Sequence, residues 1–221
     1  TMAGGFLSGG RIDLTTATSD LIVGSNGTGT VDLTGTGITL DDDVLIGQQP
    51  GSTGTVTLRS TTGTVVLTDF TFMGRIATSG VNGDVLVGNF GTGTANVRQG
   101  GRLESVRLVV ASQPSSTGTL NVNGFVSIGS TTTRSEVRCD TLEIAHNNFA
   151  GVGAGAGTLD LGNNGRATVQ TATFVGDPDG GTPALLLRSA AVLTTGDFID
   201  PANVTQYLGG QLSVRGNYLP S

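Results

Sequence analysis

Short runs of alternating apolar and polar residues fill most of the chain, and glycine punctuates them. Val31-Asp32-Leu33, Val56-Thr57-Leu58, Ala95-Asn96-Val97, Leu120-Asn121-Val122 and Leu159-Asp160-Leu161 repeat one apolar-polar-apolar triplet. A period of two marks half-buried β-strands, so the outer members of each triplet face a core and the middle members face solvent. Residues that favour helices are scarce, while Gly, Thr, Val and Asn dominate. The pattern predicts an all-β protein of short strands joined by tight corners.

The triplets recur in a fixed register. Gly27-Thr28-Gly29-Thr30-Val31-Asp32-Leu33 returns as Gly91-Thr92-Gly93-Thr94-Ala95-Asn96-Val97 and as Gly155-Ala156-Gly157-Thr158-Leu159-Asp160-Leu161, each time about 64 positions on. Between these lie a segment from Gln49 to Leu58, its counterpart from Gln113 to Val122, and a weaker third from Asp177 to Leu186. The unit is therefore double, with a short arm of about 25 residues and a long arm of about 39, and three copies cover 21–188. Residues 1–20 and 189–221 flank them as terminal cap or assembly segments of one continuous domain. Stacked units that cannot bury a face alone indicate a parallel β-solenoid, each coil hydrogen-bonded to the next about 4.8 Å away. Some seven or eight coils are expected, a column on the order of 35 Å.

Thr30, Thr55, Thr94, Thr119 and Thr158 each follow a glycine. The expectation is a corner at which Gly supplies positive φ and the Thr hydroxyl satisfies a backbone group. Irregular inserts at 59–83 and 124–142 interrupt the long arms, where a solenoid usually carries its recognition surface. Outward columns such as Thr30-Asp32-Thr34 and Thr94-Asn96-Arg98 give a single threonine file bordered by charge, which argues against an ice-binding lattice.

Val23-Gly24, Gly27-Thr28-Gly29-Thr30-Val31-Asp32-Leu33, Val87-Gly88-Asn89-Phe90-Gly91-Thr92-Gly93-Thr94 and the later Asn163-Asn164-Gly165-Arg166-Ala167-Thr168-Val169 corner resemble the autotransporter-associated β-strand repeats of bacterial passenger domains and related surface proteins. The resemblance covers about three quarters of the chain. It implies a right-handed parallel β-helix, an extracellular or cell-surface setting (a virion-like particle being the other), and a stalk, fibre or adhesive role. It carries over no catalytic residue.

Charge narrows the partners. All 11 basic residues are Arg, 17 residues are acidic, and the net charge is −6. Nothing here would hold DNA or an anionic membrane, and no apolar run approaches the ~20 residues of a spanning helix. The Met2-Ala3-Gly4-Gly5-Phe6-Leu7 start has no basic n-region. The lone Cys139 precludes an intrachain disulfide and reads as a core thiol, and one His precludes a zinc site built from several Cys or His.

Candidate chemistry is sparse. Asp41, Asp42 and Asp43 form the densest acidic run, and Asp177-Pro178-Asp179-Gly180 has the look of a calcium loop, although its place in the repeat is an ordinary turn. Asp140, Glu143 and His146 share one segment, but strand geometry keeps Asp140 and His146 too far apart for a dyad. No cofactor is expected, and the chain reads as non-enzymatic, the alternative being a carbohydrate-active or carbohydrate-binding β-helix of tailspike or lyase type. Phe70 and Phe72 share a strand face and read as core. Arg59, Arg98, Arg102 and Arg107 offer a modest site for acidic glycans. Neither end reads as a capping helix, so the ends are expected to pair with further copies into oligomers or fibres, or to fold back as irregular caps.

Overall fold

The computed structural model describes residues 5–14, 20–40, 42–60, 75–78, 83–128, 131–147, 153–200 and 204–220. Within them every regular element is a strand, and the chain winds as a parallel β-solenoid of three faces. The first face stacks 5–8, 28–34, Thr53–Arg59, Thr92–Arg98, Thr117–Asn123, Ala156–Leu161, Thr182–Arg188 and Thr205–Leu208. The second stacks 10–14, 36–40, Arg75–Thr78, 102–105, 136–139, 166–169, Val192–Thr195 and Gln211–Val214. The third runs from Leu21–Val23 through Val44–Ile46, Asp84–Val87, 107–110, 141–144, 172–175 and Asp197–Asp200 to Tyr218–Pro220. Each face thus has eight coils, and the ladder continues through both terminal segments.

Two successive coils make one 64-residue unit. Thr28 pairs with Thr53 across a short coil, and Thr53 with Thr92 across a long one. In the long fifth coil the extra length sits at a corner. In the fifth coil, Phe125–Ile128 and Thr131–Arg134 form an antiparallel hairpin between the first and second faces. Residues 136–142 rejoin the ladder, so this insert is shorter than the alternation pattern suggested. Most of 59–83 lies outside the described residues.

The core is one aliphatic column. Val31, Leu33, Val56, Leu58, Val97, Leu120, Val122, Leu159 and Leu161 are all buried on the first face, as the triplets predict. Leu40, Ile46, Leu108, Leu142, Ile144, Leu193 and Phe198 close it from the other two faces. Fully burying such a side chain contributes roughly 1.5–3 kcal/mol, so the column is the main source of stability.

The corner between third and first faces corrects one expectation. Positive φ belongs to Gly24, Gly47, Gly88 and Gly176, and to Ala111 and Ala145 at the equivalent places, not to the glycine of the Thr-Gly-Thr triplet. Gly29, Gly54, Gly93, Gly118 and Gly157 are strand residues pointing inward. A Cβ on Gly93 would overlap Gly88 N and Ile46 O, and one on Gly118 would overlap Val87 O and Ala111 N. Glycine is needed there for space. The flanking threonines point outward, and the hydroxyls of Thr30, Thr55, Thr94, Thr119 and Thr158 make no bond to corner backbone.

Candidate functional site

Three corners gather polar side chains. The first precedes the third face, where Asp20, Asp43 and Asp84 come just before the in-register residues Leu21, Val44 and Val85. Carboxylate oxygens of Asp20, Asp42 and Asp43 lie within 4.8 Å of one another; Asp41 lies outside the described residues. Asp43 Oδ1 accepts the Asp84 N–H at 2.9 Å. Burial, and then the charges of Asp84, Asp42 and Asp20, hold the Asp43 carboxyl above its ordinary value despite that bond. Arg107 closes the file from the next coil, donating from Nη2 to Asp84 Oδ2 at 2.7 Å and standing 3.7 Å from Glu143. Three carboxylates could hold a cation, but they fall short of the roughly six to eight oxygens that calcium gathers.

At the second corner, Asp177 behaves as a turn residue. Its Oδ2 accepts the Asn147 N–H at 2.6 Å and its Oδ1 the Asp179 N–H at 2.8 Å, so both oxygens serve backbone. Asp179 is exposed. His146 stacks on Phe174 with ring centroids 4.9 Å apart, and its Nδ1 lies 2.9 Å from Gly176 O. Glu143 is buried beside Arg107, whereas Asp140 is exposed. The three polar residues singled out in this segment do not converge.

The four arginines do not form one patch either. Arg59 and Arg98 are in-register neighbours on the first face, but Arg59 pairs with Asp32 and Arg98 donates to Asn96. Arg102 pairs with Glu104 on the second face, and Arg107 faces the acidic file. Arg59, Arg102 and Arg107 each pair with a carboxylate and Arg98 meets the neutral Asn96 amide, so the four do not concentrate a positive field at one place. Cys139 is buried in the core, and burial raises its thiol far above the ordinary range. Phe70 and Phe72 lie outside the described residues.

The third corner holds a groove. It runs across the fifth to seventh coils beside the hairpin and is lined by Asn123, Phe125, Asp160, Asn163, Asn164 and Arg188, among others. Phe125 presents half its surface to solvent. Arg188 donates from Nε to Asp160 Oδ1 at 2.7 Å and from Nη2 to Asp160 Oδ2 at 2.8 Å, a bidentate pair across coils. Ser135 anchors the hairpin base: its hydroxyl donates to Asn123 O at 2.6 Å and accepts the Gly100 N–H. Gly124 N–H donates to Asn163 O at 2.8 Å, tying the hairpin to the next coil.

No protein-family model, curated protein or solved structure matches the chain. The groove offers an exposed ring, three amide side chains and an ion pair, on a backbone held by ladder and turn bonds. Planar amides that donate and accept, beside an aromatic platform, suit the hydroxyls and apolar ring face of a sugar. Sequence reasoning pointed to the insert but missed Asn163, Asn164 and Asp160, because their neighbourhood arises from coil stacking and leaves no local motif.

Proposed function

We propose that the chain is a non-enzymatic structural and adhesive β-solenoid, acting at a cell surface, outside the cell or on a virion-like particle. It extends by stacking copies end to end, and the hairpin corner meets the partner. The observation that carries this reading is the exposed apolar surface of the last described coil. Among the described residues, Thr205–Leu208, Gln211–Val214 and Tyr218–Pro220 each pair on one side only. Tyr207, Leu208, Tyr218 and Leu219 are about half exposed there. Unpaired parallel edges beside exposed apolar side chains are a template for another chain, and among the described residues, 5–14 in the first coil also pair on one side only. A second copy of this chain is the occupant whose strand spacing and face geometry continue the column. The likeness to autotransporter-associated repeats supports the extracellular setting.

Sedimentation velocity across a wide concentration range tests this reading. Wild type should form concentration-dependent oligomers, and Leu208→Lys with Leu219→Lys should sediment as a monomer. A wild-type monomer at every concentration would overturn it.

The groove favours a second reading, glycan binding beside the hairpin. Titration with neutral oligosaccharides should show binding that Phe125→Ala weakens at least tenfold while the fold is unchanged.

A further inference from the structure

The first face carries a second threonine file that alternation around the triplets did not reveal. Its strands begin two residues before the triplet threonine, so Thr28, Thr53, Thr92 and Thr117 stand in register across four successive coils. Thr30, Thr55, Thr94 and Thr119 form a parallel file two residues along the same strands. Thr158 continues the second file in the sixth coil and Thr182 the first file in the seventh, with Ala156 and Ala184 in the alternate places. The glycine between each pair points inward, so both threonines point out.

This array is two-dimensional, rigid and uncharged. Coils repeat about every 4.8 Å, and alternate residues of a strand lie about 6.6 Å apart, which sets a rectangular grid. The strands of Thr53, Thr92 and Thr117 are laddered on both sides, and the restricted χ1 of a β-branched side chain favours one common direction for neighbouring hydroxyls. None of the eight hydroxyls is engaged by another protein group. The four threonines of the first file are exposed. Of the charges beyond the second file, Asp32 with Arg59 and Asp160 with Arg188 are closed into pairs, and Arg98 is held back on Asn96 Oδ1 at 3.0 Å.

A soluble ligand is usually held by unlike groups converging on one point. A grid of one repeated group instead complements a surface that is itself periodic. Lack of charge argues against an ionic mineral, and neither file holds an aromatic ring on which crystalline polysaccharide could stack. Ice fits the remaining requirements: it is neutral, built from hydrogen bonds, and its prism face carries rows of oxygen at closely similar rectangular spacing. We propose that the threonine grid of the first face is an ice-binding surface, its hydroxyls ordering water into the lattice while its methyl groups sit in the gaps between them.

Incorporation of the fluorescently labelled full chain into a slowly growing ice hemisphere tests this, with thermal hysteresis measured alongside. Wild type should partition into the ice and shape the crystals. Thr55→Lys and Thr94→Lys should each reduce incorporation at least tenfold, with circular dichroism unchanged. Thr168→Lys, on the second face, should retain it. Exclusion of folded wild type from ice, or equal incorporation of all variants, would overturn the proposal, as would binding to crystalline cellulose or chitin without binding to ice.

Discussion

Arg107 in the fourth coil donates two hydrogen bonds to Asp84 Oδ2 in the third, from Nε at 3.0 Å and from Nη2 at 2.7 Å. It is the cation that terminates the file of Asp20, Asp43 and Asp84, and it faces Glu143 on its other side. Arg107→Gln should cost about 1–2 kcal/mol in chemical denaturation, between the values for exposed pairs and for hydrogen bonds to charged groups. Because the carboxylates share this partner, Asp43→Asn should restore part of that loss in the double variant. Strictly additive effects would mean that Arg107 does not act on the file.

The raised Asp43 carboxyl sets a pH dependence in the acid range. Its folded value lies above the ordinary 3.8, so between those two values the folded chain holds a proton that the unfolded chain has released. Stability from this group therefore falls as pH rises through that window. Asp43→Asn keeps an oxygen for the Asp84 N–H and removes the repulsion. It should raise Tm at pH 7, with the gain disappearing below pH 3.8. An equal gain at both pH values would contradict the assignment.

Inward glycines and turn glycines should respond differently to alanine. Gly93→Ala drives a Cβ into backbone of the neighbouring corner and should cost more than about 3 kcal/mol. Gly51, at φ 76°, has open space around its missing Cβ, and Gly51→Ala should cost only about 1–2 kcal/mol of left-handed strain. Equal costs in equilibrium denaturation would show that φ rather than space dictates the triplet glycine.

Cys139 offers a clean readout of core integrity. Buried and protonated, it should resist Ellman's reagent for as long as the chain is folded, and react at the ordinary rate in denaturant. Rapid labelling without denaturant would mean that the second face opens locally.

The solenoid was legible because inward side chains must match from coil to coil: a strand that slips by one residue exposes Val56 and Leu58. The same constraint wrote the Thr-Gly-Thr triplet repeatedly, and its alternation revealed the core. Less visible was the left-handed corner, because Ala111 and Ala145 take the positive φ that glycine holds in other coils. The Thr28 file was missed because its strands start three residues before the apolar triplet. The groove had no local signature, since Asn123, Asp160 and Arg188 come from three coils and meet through register. Arg59 and Arg107 read as free cations in sequence, and only stacking brings Asp32 and Asp84 onto them.

End-to-end growth is the claim on which the structural role depends, and particle length tests it most directly. Eight coils at the strand spacing give a column of about 38 Å. Small-angle scattering over a concentration series should give a constant cross-section, with length increasing in steps of about that column. A fixed length at all concentrations, or assemblies that thicken sideways instead, would contradict the account.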